Sequence, residues 1–129
     1  MRLQELSETS GTSIMMITHD LGVVAEVSKN VVVMYAGRVV ENGDVHQIFN
    51  NPLHPYTRGL MKSIPGFGQT REKGLDVIPG TVPSLFSLPV GCKFCTRCND
   101  VMDQCMVEEP RLKTMDDGQQ VRCWLYGEI

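Results

Sequence analysis

The chain has 129 residues, of which 42% are hydrophobic and 21% charged, and a formal net charge of −3. That is room for one small globular domain or part of a larger one, and it does not indicate a general nucleic-acid surface. No stretch approaches the roughly 18–20 apolar residues of a membrane span and no signal-peptide pattern is present, so membrane association is expected only through a partner.

Residues 2–8 read as the last turns of a helix, with Leu3 and Leu6 on one side and Gly11 as its cap. A chain that opens in this way looks like the back half of a fold. Next comes Ser13-Ile14-Met15-Met16-Ile17-Thr18-His19-Asp20, whose unbroken apolar run is expected to be a strand covered on both faces, with the methionines filling core. Open α/β sheets hold ligands beyond the carboxyl ends of such strands, where His19 would stand. On position alone His19 reads rather as a surface histidine at a helix start. Residues 21–27 are expected to be a short helix, capped by Asp20.

Residues 31–35 and 38–41 are β-rich and separated by Ala36-Gly37, which predicts a tight hairpin. Asp44 with Gln47 three residues on is a capping-box pattern and predicts a helix over 45–50. Pro55 suits the first turn of a further helix reaching to about residue 63. His46 reads as a solvated helix residue and His54 as part of the turn before Pro55, since neither has a partner at metal-ligand spacing. From 65 to 89, prolines and glycines interrupt any periodicity, which predicts an extended linker.

The tail holds all five cysteines: Cys92, Cys95, Cys98, Cys105 and Cys123. The chain reads as cytosolic, where disulfides are rare, so clustered thiols point to metal or redox chemistry. Four thiolates suit a tetrahedral zinc site or a [4Fe–4S] cluster, and such a staple would stabilise a segment with few aliphatic residues. The spacing leaves both open: there is no second Cys-x-x-Cys knuckle, and the start Cys92-x-x-Cys95-x-x-Cys98 does not continue as a ferredoxin run. Trp124 and Tyr126 are expected to cover this site.

The runs Ile17-Thr18-His19-Asp20-Leu21-Gly22-Val23-Val24-Ala25-Glu26 and Val33-Met34-Tyr35-Ala36-Gly37-Arg38-Val39-Val40-Glu41-Asn42-Gly43 closely resemble the ATPase subunits of ABC transporters, within the oligopeptide/dipeptide importer branch. The resemblance continues through Asn51-Pro52-Leu53-His54-Pro55-Tyr56-Thr57-Arg58-Gly59-Leu60 into the cysteine tail. It implies an α/β fold: the C-terminal part of an ABC-type ATPase domain over residues 1–64, a linker over 65–90, and a cysteine-rich extension over 91–129. It implies that His19 is the switch histidine contacting the γ-phosphate of ATP, with Mg²⁺ held elsewhere in the complete subunit. It also implies a second ATPase subunit and membrane permease subunits as partners, at the cytoplasmic face of the membrane.

In the tail, Gly91-Cys92-Lys93-Phe94, Arg97-Cys98, Cys105 before Glu108-Glu109-Pro110, and Val121-Arg122-Cys123 match the family pattern. The resemblance thereby implies Cys92, Cys98, Cys105 and Cys123 as ligands of a [4Fe–4S] cluster, with zinc as the alternative; Cys95 departs from the pattern. No G-x-x-x-x-G-K-[ST] phosphate loop and no Leu-Ser-Gly-Gly signature occurs in the sequence. The chain alone is therefore expected not to hydrolyse ATP. The competing reading is a stand-alone iron–sulfur or zinc module without ATPase activity.

Overall fold

A computed structural model describes residues 2–64 and 78–127. Helix α1 (Arg2–Ser10) ends where Gly11 turns to φ +66°, a conformation that glycine adopts without steric cost. Residues 11–20 then form neither helix nor strand, and all are exposed, Met15 at 88% and Ile17 at 92%. This corrects the expected buried strand. A strand covered on both faces takes hydrogen bonds from neighbours, and no described strand pairs with this segment. Met15 and Met16 accordingly lie outside the core, as does Met34. Helix α2 (Leu21–Val27) follows, and Asp20 caps it as expected, accepting from Val23 N at 3.2 Å.

Strands β1 (Asn30–Tyr35) and β2 (Arg38–Asp44) pair antiparallel around Ala36 and Gly37, at φ +47° and +78°. Two successive left-handed residues make the turn whose twist matches that of the flanking strands. The pairing register shifts between Val33 and Met34, which face Glu41 and Val39 and so leave Val40 as the extra residue of a bulge. The bulge has a consequence for the side chains. Strict alternation would send Val40 and Glu41 to opposite faces, but both are buried.

Helix α3 (Val45–Asn50) begins with the predicted capping box: His46 N donates to Asp44 Oδ1 at 2.8 Å and Asp44 N to Gln47 Oε1 at 2.9 Å. Helix α4 (Pro55–Lys62) starts on Pro55, with His54 as its cap. Of the expected linker, residues 65–77 lie outside the described residues, and 78–89 contain no helix or strand.

The tail contributes a 3₁₀ turn (Cys95–Arg97), helix α5 (Asp103–Val107) and short strands β3 (Lys113–Thr114) and β4 (Gln120–Val121). The four strands form one antiparallel sheet in the order β1-β2-β4-β3, with Glu41 opposite Val121 and Asn42 opposite Gln120. Arg122 N extends this pairing to Val40 O at 2.8 Å. The core is likewise shared, since Phe94 of the tail packs with Val33, Tyr35, Val40, Ile48 and Met61. Tyr35, Tyr56 and Phe94 form an aromatic triangle with ring centroids 4.8–5.4 Å apart. The result is a mixed helix and antiparallel-sheet fold. Among the described residues no helix is long and apolar enough to cross a membrane.

Candidate functional site

His19 sits in the short step between the exposed apolar run and α2. Asp20 N donates to Thr18 Oγ1 at 3.0 Å while the Asp20 carboxyl group caps the helix, so the backbone on both sides of the imidazole is held locally. The side chain is exposed and, among the described residues, makes no hydrogen bond or ion pair.

The five thiols are all free and lie around the 3₁₀ turn, α5 and the end of β4. Cys92 N donates to Cys105 O at 2.8 Å, and a Cβ placed on Gly91 would stand 2.1 Å from that same carbonyl oxygen. Only glycine permits this approach, which sets the first cysteine beside α5.

The backbone N–H of Met102 meets Cys105 Sγ at 3.4 Å. Burial pushes Cys92 up to about 11 and Cys123 up to about 12, with the neighbouring thiols adding to the shift. Such groups hold their protons at neutral pH unless a cation displaces them.

A donor set of this kind suits, by its chemistry, a soft or borderline cation. Its arrangement is looser: among the described residues no group of three or more His, Cys, Asp or Glu is placed to hold a metal ion. The thiols are electrostatic neighbours rather than a formed coordination shell.

Two polar clusters bind the tail to the hairpin. The first is centred on Glu41. Its carboxyl group accepts from Leu53 N at 3.0 and 3.1 Å, His54 N at 2.6 Å and Gln119 Nε2 at 2.8 Å. Gln119 Nε2 also reaches Asn51 O at 3.0 Å. His54, 1% exposed, accepts from Tyr56 N through Nδ1 at 3.0 Å. The proton of the neutral ring is thereby assigned to Nε2, which faces the Arg122 carbonyl without closing a hydrogen bond. Burial, with a smaller push from Arg58, lowers His54 to about 4. His54 belongs to the turn before Pro55, as expected, but as a buried structural group. His46 is exposed, as read from the sequence.

The second cluster is centred on Glu109, which accepts from Arg38 Nε at 2.8 Å and lies 3.2 Å from Lys93 Nζ and 4.0 Å from Arg122 Nη1. Burial alone would raise this carboxyl group. Hydrogen bonds from Lys93 and Arg38 outweigh that and hold it below the usual carboxylate range. Of the two aromatic residues expected to cover the cysteines, Trp124 donates through Nε1 to Glu108 O at 2.8 Å, and Tyr126 OH donates to Leu53 O at 2.7 Å while accepting from Arg58.

The signal that could have exposed the first cluster is a charged Glu41 following Val39-Val40 inside a strand. With regular alternation it would pass for a solvated position.

Residues 40–105 match the family model described as the oligopeptide/dipeptide transporter, C-terminal region. The chain is 48% identical over 126 residues to an oligopeptide transport ATP-binding protein of Bacillus subtilis, an alignment covering 98% of this chain and 38% of that protein. It is 45% identical over 121 residues to a dipeptide transport ATP-binding protein of Escherichia coli, covering 94% of this chain and 37% of the relative. A putative peptide import ATP-binding protein of Brucella ovis is 44% identical over 132 residues, covering 98% and 39%. The chain thus spans under two fifths of the length of the curated relatives it matches.

Proposed function

This chain belongs to the oligopeptide/dipeptide transporter family, whose C-terminal region it matches, and from that premise we propose that it is the C-terminal portion of an ATP-binding subunit that energises peptide import. The observation that carries the reading is the near-complete alignment of the chain with ATP-binding proteins of peptide transporters. In this reading two such subunits clamp ATP and Mg²⁺ between them at the cytoplasmic face of the membrane and drive two permease subunits. The exposed run Ile14-Met15-Met16-Ile17 is then covered by the remainder of the subunit. His19, delivered beside it and held by the Asp20 cap, orients the γ-phosphate and the attacking water. The phosphate loop is not within these 129 residues, so the chain alone binds no nucleotide productively and does not hydrolyse ATP.

The same reading assigns Cys92, Cys98, Cys105 and Cys123 to a [4Fe–4S] cluster, with zinc as the alternative and Cys95 outside the set. Its support is the sequence pattern of the four cysteines. When bound, the group would link the 3₁₀ turn, α5 and the end of β4 as a staple.

The test is a chimaera in which this chain replaces the corresponding segment of the Bacillus subtilis relative. Peptide-stimulated ATP hydrolysis by the assembled transporter is expected, and His19→Ala should lower it by orders of magnitude while leaving assembly intact. Normal hydrolysis by His19→Ala would remove the role given to His19. Iron, sulfide and zinc content of the same protein, and of its Cys105→Ser variant, tests the ligand set independently.

A further inference from the structure

Between Cys95 and Cys98 lies a side chain that holds three separate parts of the molecule. Arg97 Nε donates to Pro79 O at 3.0 Å, Nη2 to Ile78 O at 3.4 Å and Nη1 to the hydroxyl of Tyr35 at 3.3 Å. Its guanidinium also stands 5.8 Å from the centre of the Tyr35 ring. Residues 78 and 79 are thus tied by their carbonyls to the cysteine turn, and through the same planar group to β1. Only an arginine offers this fork of donors; a lysine presents a single charged point.

The segment it holds has a seat of its own. Ile78 packs on the core and enters a notch in α4 at Gly59, where a Cβ would stand 2.7 Å from Ile78 Cγ1. Two surface clefts flank this seat, and both are lined by Ile78 and Arg97. Lifting residues 78–80 away would merge the clefts and open the side of the aromatic triangle of Tyr35, Tyr56 and Phe94.

We propose that Arg97 is the clasp of a strap: it fastens residues 78–80 across α4 and the aromatic core, and passes the conformation of the Cys95–Cys98 turn to that strap and to β1. A change at the thiols that reshapes the turn withdraws three donors at once, and the strap detaches while the hairpin stays folded. The device does not depend on what the thiols bind. It therefore stands or falls separately from the cluster assigned above.

The experiment measures thermolysin cleavage within residues 78–90, together with the nuclear Overhauser effects between Ile78 and Gly59 and between Val33 and Glu41. Bonds to a charged donor contribute enough that Arg97→Ala should speed cleavage by about tenfold or more, abolishing the Ile78–Gly59 signal and preserving the Val33–Glu41 signal. Alkylating the thiols with N-ethylmaleimide should speed cleavage of the unmodified sequence toward the Arg97→Ala rate and add nothing in Arg97→Ala. Unchanged cleavage in Arg97→Ala, or an equal effect of alkylation with and without Arg97, overturns the proposal. If the Val33–Glu41 signal also disappears in Arg97→Ala, Tyr35→Phe decides. It removes one of the three bonds, so an intermediate acceleration is expected, and none overturns the clasp.

Discussion

Gln119 donates through Nε2 to Glu41 Oε2 at 2.8 Å across 78 residues of chain, and neither side chain has any exposed surface. Glu41 belongs to β2 of the hairpin, and Gln119 precedes the last strand of the cysteine tail. One hydrogen bond therefore joins the two parts below the sheet, while the pairing of β2 with β4 joins them within it. A buried polar group without a partner is costly, so each of these residues fixes where the other segment must sit.

Glu41→Ala is expected to destabilise the fold by about 3 kcal/mol or more, because it leaves the N–H groups of Leu53 and His54 without an acceptor and the Gln119 amide with Asn51 O alone. Glu41→Gln keeps one acceptor and should cost about 1–2 kcal/mol. In a double-mutant cycle with Gln119→Ala, urea unfolding should give a coupling of about 1–3 kcal/mol. A coupling near zero would mean that the tail docks independently of this bond.

The approach of Gly91 to Cys105 makes a second prediction. A methyl group there meets the Cys105 carbonyl oxygen at 2.1 Å, and backbone cannot swing aside as a flexible side chain does. Gly91→Ala should cost about 3 kcal/mol, the upper end of overpacking effects, and break the Cys92 N–Cys105 O bond. The check is loss of the Cys92 amide's hydrogen-exchange protection while α3 amides keep theirs.

His54 makes stability depend on pH. An unfolded histidine titrates near about 6.5, whereas the buried ring titrates at about 4. Between those values the unfolded chain binds more protons than the folded one, so stability is retained above the upper value and lost as pH falls towards the lower. The loss should total about 3 kcal/mol. His54→Asn keeps a cap that accepts from Tyr56 N and should flatten this part of the profile. Denaturation midpoints of both proteins across the window make the comparison.

Glu109 acts lower on the pH scale. Its carboxyl group is held below the usual range by Lys93 and Arg38 against the effect of burial, so the stabilisation it gives is present above that range and lost as pH falls through the depressed value. Glu109→Gln should cost about 1–2 kcal/mol at neutral pH, mainly because Lys93 is left buried without its counter-charge. Salt should barely change the cost if the pair is shielded, and thermal unfolding at low and high salt measures it.

What could be read from the sequence is what short-range chemistry sets. The Ala36-Gly37 turn, the Asp44–Gln47 capping box, the Asp20 cap and Pro55 at a helix start each depend on a few adjacent residues, and each stands where expected. The family was legible too, because His19-Asp20-Leu21 and the spaced cysteines are patterns of residues and need no coordinates.

Tertiary structure decided the rest. Residues 13–18 have the composition of a buried strand, yet burial depends on neighbours, and no described strand supplies them. By alternation Glu41 is a solvated position, but a bulge at Val40 turns it inward to meet Leu53, His54 and Gln119. Arg97 stands in the sequence as one residue of a cysteine motif, but its bonds go to Tyr35, Ile78 and Pro79. Local sequence fixes caps and turns because their partners are a few bonds away. Which polar groups become buried partners depends on the packing of segments tens of residues apart, and that is settled only when the whole sheet has formed.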